Sequence, residues 1–215
     1  MRCTVLFSGG FDSTACLSWA LHRWGRRYVA PVFARYGQRH AEQEFRAAQR
    51  IAAAIGVRLR VMSLRMTGPS ALTGAGDLDS NSVVVPGRNG SLIRLVASSH
   101  WRPTDIVIGA CLADAVVFDD CRPDFIASMS AELAPVRVHA PLLGLSKRET
   151  LRFAAVHGGL SLLASSWSCY AGLDRPCGDC MACRHRIEPC LCVQPATVTS
   201  AGDDVDCSTC GGAVR

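Results

Sequence analysis

One short loop, SGGFDS at residues 8–13, most constrains what this chain can fold into. It follows an apolar run at residues 3–7 with the pattern of a buried strand, and it precedes apolar side chains at helical spacing up to Trp24. Two consecutive glycines let the backbone turn sharply, and the N-terminus of the next helix presents its positive dipole end to the same point. The loop therefore predicts a phosphate site between a strand and a helix.

The side chains of this loop add polar groups to the predicted site. Asp12 suits either a helix cap or an oxygen ligand of a phosphate-bound magnesium ion, and the hydroxyls of Ser8, Ser13 and Thr14 supply further hydrogen-bond donors. Glycine pairs after strands also occur in ordinary turns, so these residues alone leave both interpretations open. The loop matches neither the GxxxxGK[ST] loop of kinases nor the GxGxxG dinucleotide loop.

The first 160 residues alternate between strand and helix patterns, which predicts an α/β fold with a parallel sheet. After the first helix, a second is predicted directly after YGQRH at 36–40, and a third over residues 91–100. The second helix is amphipathic, with Glu44 on its polar side. In such sheets ligands bind just past the carboxyl ends of the strands. Further strands are predicted at residues 28–33, 57–64, 105–109 and 136–139.

Composition limits the classes of partner. The 215 residues carry a net charge of +5, Lys147 is the only lysine, and no dense run of basic residues marks a nucleic-acid surface. The chain has no apolar window of about eighteen residues, and Gly9, Gly10 and Asp12 interrupt the first apolar run before a signal peptide could form. We therefore expect a soluble cytoplasmic protein that binds anionic small molecules, with no membrane contact and no direct nucleic-acid binding.

The cysteines are concentrated near the C-terminus, where eight of the twelve follow residue 168. Without a secretion signal, such a cluster argues for metal rather than disulfides. Cys169, Cys177, Cys180 and Cys183 have the close CxxC spacing that directs four thiolates to one centre, as in structural zinc sites. An iron–sulfur cluster also uses four cysteines, whereas a redox CxxC pair would leave Cys169 unexplained. We predict one structural Zn²⁺ per chain.

A second set of cysteines has weaker support as a metal site. Its members lie in or next to a tail rich in Gly, Ser, Thr and Asp with few large apolar residues, a composition typical of flexible chain. This composition favours a flexible tail over a second metal centre. The set consists of Cys190, Cys192, Cys207 and Cys210.

Residues 4–186 resemble the 7-cyano-7-deazaguanine synthases of queuosine biosynthesis, a QueC-like family among the N-type ATP pyrophosphatases (PP-loop proteins). The resemblance implies a doubly wound, HUP-like (adenine nucleotide α-hydrolase) parallel sheet with a small C-terminal zinc-binding subdomain, often as a homodimer. It divides the chain into a PP-loop domain at 1–160, a zinc-binding subdomain at 161–192 and a flexible tail at 193–215. Five motifs carry it: FSGGFDST, YGQRH, VPGRN, DCRPDF and CYAGLDRPCGDCMACR.

The family resemblance also implies a reaction that uses ATP and Mg²⁺. The carboxylate of 7-carboxy-7-deazaguanine attacks the α-phosphorus of ATP, pyrophosphate leaves, and ammonia displaces AMP to give an amide. A second adenylation, on the amide oxygen, followed by elimination gives the nitrile. Such chemistry needs positioning and neutralisation of charge more than a nucleophilic side chain.

Site residues follow from the matching motifs. Asp12 and Lys147 are the candidate catalytic residues, although a lysine at a helix start is also compatible with simple exposure. His40 is a candidate proton shuttle, although a lone histidine there also suits a cap or a surface position. The candidates for the deazaguanine, which also suit an internal ion-pair network, are Arg88, Asn89, Asp114, Asp120 and Arg122. The ATP candidates are Phe7, Ser8, Gly9, Gly10, Phe11, Asp12, Ser13, Thr14, Ala15, Cys16 and Leu17.

The chain departs from the family pattern at residues 112–118. Family members carry an acidic residue near the start of this segment and SGY before the final PDCR, whereas this chain has Leu112 and then Val116, Val117 and Phe118. The altered segment leaves three alternatives open for the product: the nitrile, the amide, or an adduct with another amine. A pyrophosphatase for a tRNA base would need a catalytic cysteine pair outside the zinc site. A non-catalytic, zinc-dependent nucleotide- or nucleic-acid-binding module is the alternative of another class.

Overall fold

The computed structural model describes residues 2–66, 70–74, 76–79, 82–115 and 117–187. Its centre is a five-stranded sheet with the order β3-β2-β1-β4-β5, in which every neighbouring pair is parallel. This arrangement confirms the predicted α/β fold with a parallel sheet. The strands are β1 (Cys3–Leu6), β2 (Val29–Arg35), β3 (Arg60–Ser63), β4 (Asp105–Val107) and β5 (Arg137–His139).

Helices cover both faces of the sheet. None of the helices in the described part of the chain is long and apolar enough to cross a membrane. Short 3₁₀ turns at Arg26–Tyr28 and Asp119–Cys121 complete the regular structure. The helices are α1 (Phe11–Trp24), α2 (Ala41–Ala54), α3 (Arg88–Ala97), α4 (Leu112–Ala115), α5 (Pro123–Glu132), α6 (Lys147–Val156), α7 (Leu160–Ala164) and α8 (Met181–Ile187).

Side chains of β1 alternate between the two faces of the sheet. Val5 and Phe7 belong to an apolar cluster with α1, α2, α6 and α7, whereas Leu6 belongs to a cluster with α3 and α5. Each fully buried side chain of this size contributes about 1.5–3 kcal/mol to stability. Two buried faces explain why β1 is a continuous apolar run instead of an alternating one.

Two elements begin three residues away from their predicted starts. The third strand begins at Arg60 and not at residue 57, because the Val57 N–H donates to Ala52 O as part of the end of α2. The helix predicted over 91–100 begins at Arg88, because Gly87 adopts a left-handed conformation (φ 66°) and ends the preceding turn there. The residues 190, 192, 207 and 210 and the tail predicted at 193–215 lie outside the described part of the chain.

The strand order reverses its direction at β1. From β1 the chain moves outward to β2 and β3, then returns to place β4 and β5 on the other side of β1. The loops after β1 and β4 therefore separate and leave a crevice at the carboxyl ends of these two strands. A Cβ on Gly109, just past β4, would lie 3.0 Å from Ser13 N, so the wall of this crevice packs directly against the start of α1.

Candidate active site and cysteine cluster

The SGGFDS loop forms a hydrogen-bonded turn at the carboxyl end of β1. The Gly10 N–H donates to Ser8 Oγ at 3.1 Å, and the Ser13 hydroxyl donates to Gly10 O at 3.1 Å. Gly10 is the N-cap of α1 and makes no side-chain cap bond. The N–H groups at the start of a helix lack intrahelical partners, so this end of α1 can bind an anion.

Gly9 is the point at which the loop meets α2. Its φ is +79°, and a Cβ there would lie 2.6 Å from Ala48 N and 2.7 Å from Glu44 O. Gly9 O accepts a hydrogen bond from Trp167 N at 2.9 Å. Only glycine fits this position, because both the backbone conformation and the space exclude a side chain.

Asp12 and Lys147 form an ion pair at the start of α1. Lys147 Nζ donates to Asp12 Oδ2 at 2.7 Å and lies 3.9 Å from Asp114 Oδ1. Burial alone would lower the pKa of Lys147, but the charges of Asp12 and Asp114 outweigh burial and hold this pKa above its ordinary value. The lysine is therefore charged and buried, and it is not the exposed helix-start lysine of the alternative interpretation.

The same carboxylates suit a magnesium ion. Asp12 Oδ1 is buried and has no hydrogen-bond partner among the described residues. Asp12, Cys111 and Asp114 place ligand atoms within 4.8 Å of one another. Burial raises the pKa of Cys111 to about 11, so its thiol stays protonated at neutral pH. Mg²⁺ prefers oxygen ligands, so Asp12 and Asp114 would hold it and Cys111 would not.

The candidate acid-binding residues fall into two groups. Arg88, Asn89 and Asp114 line the crevice. Asp120 lies behind Asn89: the Asn89 N–H donates to Asp120 Oδ2 at 3.0 Å, and Asn89 Nδ2 donates to Asp120 O at 3.1 Å. Arg122 has its side chain half exposed and pairs with Asp119 at 2.8 Å. The structure thus brings three of the five together, with Asp120 as a support for Asn89.

The candidate ATP residues are divided by the first turn of α1. Those that line the crevice are Phe7, Ser8, Gly10, Phe11, Asp12 and Ser13. Thr14 Oγ1 donates to Gly10 O at 2.8 Å and so stabilises the turn. Ala15, Cys16 and Leu17 are fully buried in the apolar core. The loop and the first turn face the crevice, and the following turn anchors α1 to the sheet.

A second polar wall comes from YGQRH and the first turn of α2. Gln38 Nε2 donates to Glu44 Oε2 at 3.4 Å, and His40 Nε2 lies 3.7 Å from the same oxygen. His40 is 1% exposed, so it is neither a surface residue nor a side-chain cap. Burial, reinforced by Arg88, lowers the pKa of His40 to about 4, and burial raises the pKa of Glu44 to about 7.

Sequence reasoning singled out His40 on this wall and missed Glu44. The spacing of apolar residues placed Glu44 on the polar side of α2, and nothing in the spacing indicates that Gly9 draws this side against the loop. The YGQRH motif was the available signal, because it marks this segment of the chain. The motif does not show which side chains of the following helix face inward.

The walls enclose one cavity, which we call the crevice site. Its empty space, including the open mouth, is about 1230 Å³. Besides the residues above, its lining includes Tyr36, Phe118, Cys121, Trp167, Tyr170, Met181, His185 and Arg186.

Four cysteines form a compact cluster next to the crevice site. The sulfurs of Cys169 and Cys177 are 3.6 Å apart, those of Cys177 and Cys183 are 3.9 Å apart, and the four ligand atoms including that of Cys180 lie within 4.8 Å. A tetrahedron of sulfurs around zinc, with Zn–S bonds of about 2.3 Å, has edges of roughly 3.8 Å. The geometry fits such an ion, and the distances exceed the length of a disulfide bond of about 2.05 Å.

Backbone N–H groups prepare this cluster for a cation. The Ala171 and Cys177 N–H groups donate to Cys169 Sγ at 3.4 and 3.3 Å. Burial opposes ionisation of Cys177, but hydrogen bonds from the backbone of Cys180 and Asp179 lower its pKa to about 7. A thiolate is the form that binds metal.

The cluster also fixes one wall of the crevice site. Helix α8 begins at Met181, directly after Cys180, and it contains Cys183. Met181, His185 and Arg186 of this helix line the cavity. Arg186 donates to Ser166 Oγ at 2.8 Å and to Ser168 Oγ at 3.1 Å. A metal ion held by the cysteines would therefore hold α8 over the crevice.

Comparison with known proteins assigns this architecture to a family. The model of the queuosine biosynthesis protein QueC family matches residues 2–191. The chain belongs to the QueC family. The matched residues include the SGGFDS loop, the VPGRN segment and the cysteine cluster. The QueC family consists of enzymes of queuosine biosynthesis.

Curated QueC relatives cover most of the chain. A 7-cyano-7-deazaguanine synthase of Chromobacterium violaceum is 36% identical over 206 residues, which are 87% of this chain and 88% of the relative. The 7-cyano-7-deazaguanine synthase of Bacillus subtilis is 34% identical over 203 residues, covering 86% of this chain and 91% of the relative.

Proposed function

We propose that the chain is an ATP-dependent ligase that converts 7-carboxy-7-deazaguanine and ammonia to 7-cyano-7-deazaguanine. The observation that carries this proposal is the buried Lys147–Asp12 pair beside the SGGFDS loop, 2.7 Å between Nζ and Oδ2. This pair places one cation and one free carboxylate oxygen where phosphate charge would develop. The QueC relatives supply the substrate class. We also propose that the reaction takes place in the cytoplasm.

ATP binds, in this proposal, with its phosphates over the first turn of α1. The N–H group of Phe11 and the hydroxyls of Ser8 and Ser13 bind the pyrophosphate part. Asp12 and Asp114 would hold Mg²⁺, which would neutralise phosphate charge there, and Lys147 stabilises the charge that develops as the bond to pyrophosphate breaks. Positioning and electrostatics of this kind account for most of the catalysis of phosphoryl and nucleotidyl transfer.

The acid binds next to this nucleotide position. Arg88 offers a cation for the carboxylate, and its Cζ lies 6.0 Å from the Tyr36 ring centroid and 5.9 Å from that of Phe118. Asn89 is held by Asp120, and its Oδ1 accepts from Arg88 Nε at 3.1 Å, so Asn89 orients the guanidinium. Asp114 lines the same crevice and would accept a ring N–H. Arg122 remains a candidate only if its half-exposed side chain turns inward.

The four cysteines hold one structural Zn²⁺ in this proposal. The sulfur–sulfur distances and the donor set of four cysteines support zinc, and a closed shell of four protein ligands leaves no position for a substrate. We further propose that the chain works as a homodimer, which light scattering of the purified protein would test. A monomer at micromolar concentration would contradict that part alone.

One experiment decides between the candidate products. The protein is incubated with ATP, Mg²⁺, ammonium and 7-carboxy-7-deazaguanine, and the products are read by mass. The expected products are the nitrile, AMP and pyrophosphate. Absence of pyrophosphate release with this acid and with related acids would contradict the proposal and favour a non-catalytic nucleotide-binding module.

A second candidate function has a specific observation in its favour. Phe118, where relatives of this family carry a tyrosine, is buried in the lining of the crevice site beside Val117. An apolar wall at this point removes a hydroxyl that could assist a second adenylation. Accumulation of the amide with no nitrile in the mass assay would support a synthase that stops at the amide, and incorporation of an added primary amine would support an amine ligase.

A further inference from the structure

Among the described residues, the carboxylate of Glu44 has no partner within ion-pair distance that is positively charged at neutral pH. Its recorded ion-pair neighbour is His40, with Nε2 3.7 Å from Oε2. The pKa of His40 is lowered to about 4, so its ring is neutral at physiological pH. The Glu44 side chain is 12% exposed. A buried carboxylate without a counter-ion is costly, and such groups are satisfied by a bound cation or by a proton.

The neighbours of Glu44 form an acceptor-lined recess. The Nδ1 of His40 is buried and, among the described residues, lacks a hydrogen-bond partner. The ring of His40 packs on that of Tyr170, with 5.2 Å between the centroids. Gln38 is held in one orientation, because its Oε1 accepts from Tyr36 N at 2.9 Å and its Nε2 donates to Ala34 O at 3.0 Å. The recess thus has a fixed shape and is lined by a carboxylate and an imidazole nitrogen that is without a hydrogen-bond partner among the described residues.

The chemistry of the recess selects among ligands. A phosphate is repelled by the carboxylate. A magnesium ion needs about six oxygen ligands, whereas the recess offers an imidazole, an amide N–H and an aromatic face beside one carboxylate. A small cation with N–H groups, such as ammonium, fits this recess. The carboxylate and the neutral imidazole accept its hydrogen bonds, and the aromatic ring favours its charge.

The position of the recess links it to the reacting atoms. Glu44 lines the crevice site together with Ser8 of the SGGFDS loop and Arg88, and its backbone carbonyl would lie 2.7 Å from a Cβ on Gly9 of that loop. The loop would hold the nucleotide and Arg88 the acid, so the acyl group formed between them faces Glu44. We propose that Glu44, assisted by His40, forms the subsite that takes up ammonia and accepts its proton, an inference that rests on the proposed ligase function.

The step balances without a further reagent. Ammonium in the recess first passes one proton to the Glu44 carboxylate, which releases it to solvent. The nitrogen lone pair freed in this way forms a bond to the acyl carbon, the bond from this carbon to the AMP oxygen breaks, and AMP leaves with the electron pair. A second proton passes from the attacking nitrogen to the Glu44 carboxylate, which gives the neutral amide and a protonated glutamic acid. The proton then leaves to solvent through the mouth of the crevice site.

The test compares Glu44→Gln with Glu42→Gln. Glu42 lies on the same helix but is half exposed, where it pairs with Arg46 and Arg35, so it is the matched control. Each protein is supplied with ATP, Mg²⁺ and 7-carboxy-7-deazaguanine, and with either ammonium or hydroxylamine. Hydroxylamine is already unprotonated at neutral pH and attacks acyl adenylates without a base, so hydroxamate formation reports the adenylation step alone.

We expect E44Q to retain acid-dependent pyrophosphate release and hydroxamate formation, and to lose ammonia-dependent product formation by about 100-fold. E42Q should match the unmodified protein in all three measurements. An ammonia-dependent rate of E44Q equal to that of the unmodified protein would overturn the subsite. Equal losses of hydroxamate and amide would also overturn it, because Glu44 would then act in adenylation.

A binding measurement separates failure of this subsite from failure of the proposed function. If the unmodified protein releases no pyrophosphate with the acid, the proposed function fails, and the subsite is judged by thermal unfolding. Ammonium chloride should then raise the unfolding temperature above that in equal sodium chloride for the unmodified protein and E42Q but not for E44Q. The same response in all three proteins would overturn the subsite.

Discussion

Lys147 Nζ lies 2.7 Å from Asp12 Oδ2, although 135 residues separate the two in the chain. The loop after β5 carries the lysine to the carboxyl end of β1, and the capping box of Ser146 and Glu149 starts α6 at that point. The pair is buried on both sides, with side-chain exposures of 9% for Lys147 and 21% for Asp12. The position of the only lysine in the chain is thus fixed by two elements from opposite halves of the sequence.

Replacement of Lys147 by methionine should separate stability from activity. We expect acid-dependent pyrophosphate release to fall by about 10²–10³-fold, since one charge that stabilises the transition state is lost. Stability should fall by about 3–5 kcal/mol, because Asp12 is left as an unpaired buried charge. Chemical unfolding of K147M and of the double variant K147M/D12N checks this.

The double variant should regain most of the stability and none of the activity. Arg148→Ala is the control, because Arg148 is the exposed neighbour of Lys147 on the same helix. A K147M protein with unchanged pyrophosphate release would contradict the assigned role of the lysine.

Gly9→Ala should damage the phosphate loop through steric overlap. The new Cβ would lie within 2.7 Å of two backbone atoms of α2 at a positive φ, so we expect a loss of about 2–4 kcal/mol from overpacking and strain. Nucleotide binding should weaken in parallel, which titration with ATP would measure. Gly158→Ala is the matched control: its φ is +71°, but among the described residues nothing lies within 4 Å of the added Cβ.

G158A should lose only about 1–2 kcal/mol of stability, because the strain of the left-handed conformation is its only cost. Equal losses in G9A and G158A would show that the contact between the loop and α2 is looser than described.

The sequence predicted the sheet and the phosphate loop because both depend on local patterns. The apolar runs that became β1 and β4 are buried on both faces, and SGGFDS contains its own turn residues. The inward position of Glu44 could not be predicted in this way. It depends on the close approach of Gly9 to α2, a contact between elements that no spacing within α2 reveals.

Arg122 was predicted at the substrate site, but its side chain does not point into the crevice in the structure. It stands two residues from Asp120 in a motif that faces the crevice, yet its side chain pairs with Asp119 at the surface. The start of α5 at Pro123 turns the chain at this point, and proximity in sequence does not determine the direction of a side chain across such a turn. The role of Arg122, like the division of the chain at residues 160 and 192, stays a prediction.

Glu44→Gln should change the pH dependence of stability. Burial raises the pKa of Glu44 to about 7 in the folded protein, against an ordinary value of 4.5. The folded state therefore keeps a proton that the unfolded state loses as the pH rises from 4.5 to 7, and stability falls across this window. Glutamine does not titrate. The free energy of unfolding of E44Q, compared with that of the unmodified protein, should therefore be up to about 3 kcal/mol higher at pH 8 than at pH 4.

Urea unfolding at pH 4 and pH 8 measures this difference. Arg88, His40, Gln38 and Ser8 face the carboxylate and are unchanged in the variant. E42Q should follow the unmodified protein at both values, and a parallel course of E44Q would show that Glu44 titrates normally.

Cys180→Ser should remove the metal and weaken nucleotide binding. We expect about one zinc ion per chain in the unmodified protein and close to none in C180S, because four ligands are needed for a closed tetrahedral site. ATP affinity should fall as well, since α8 follows Cys180 directly and lines the crevice site. Metal analysis and ATP titration measure both effects.

Cys3→Ala is the control, since Cys3 lies in the apolar core and outside the cluster. A C180S protein with unchanged ATP affinity would show that α8 is held in place by other contacts. A content of about two zinc ions per chain in the unmodified protein would show that further cysteines bind metal.

The hydrogen bond from Trp167 N to Gly9 O also has a consequence for synthesis of the protein. The phosphate loop is synthesised long before Trp167, the residue that fixes its carbonyl. The crevice site is therefore complete only when the cysteine-containing segment has also been synthesised. A growing chain has its phosphate loop before it has the wall that encloses the crevice.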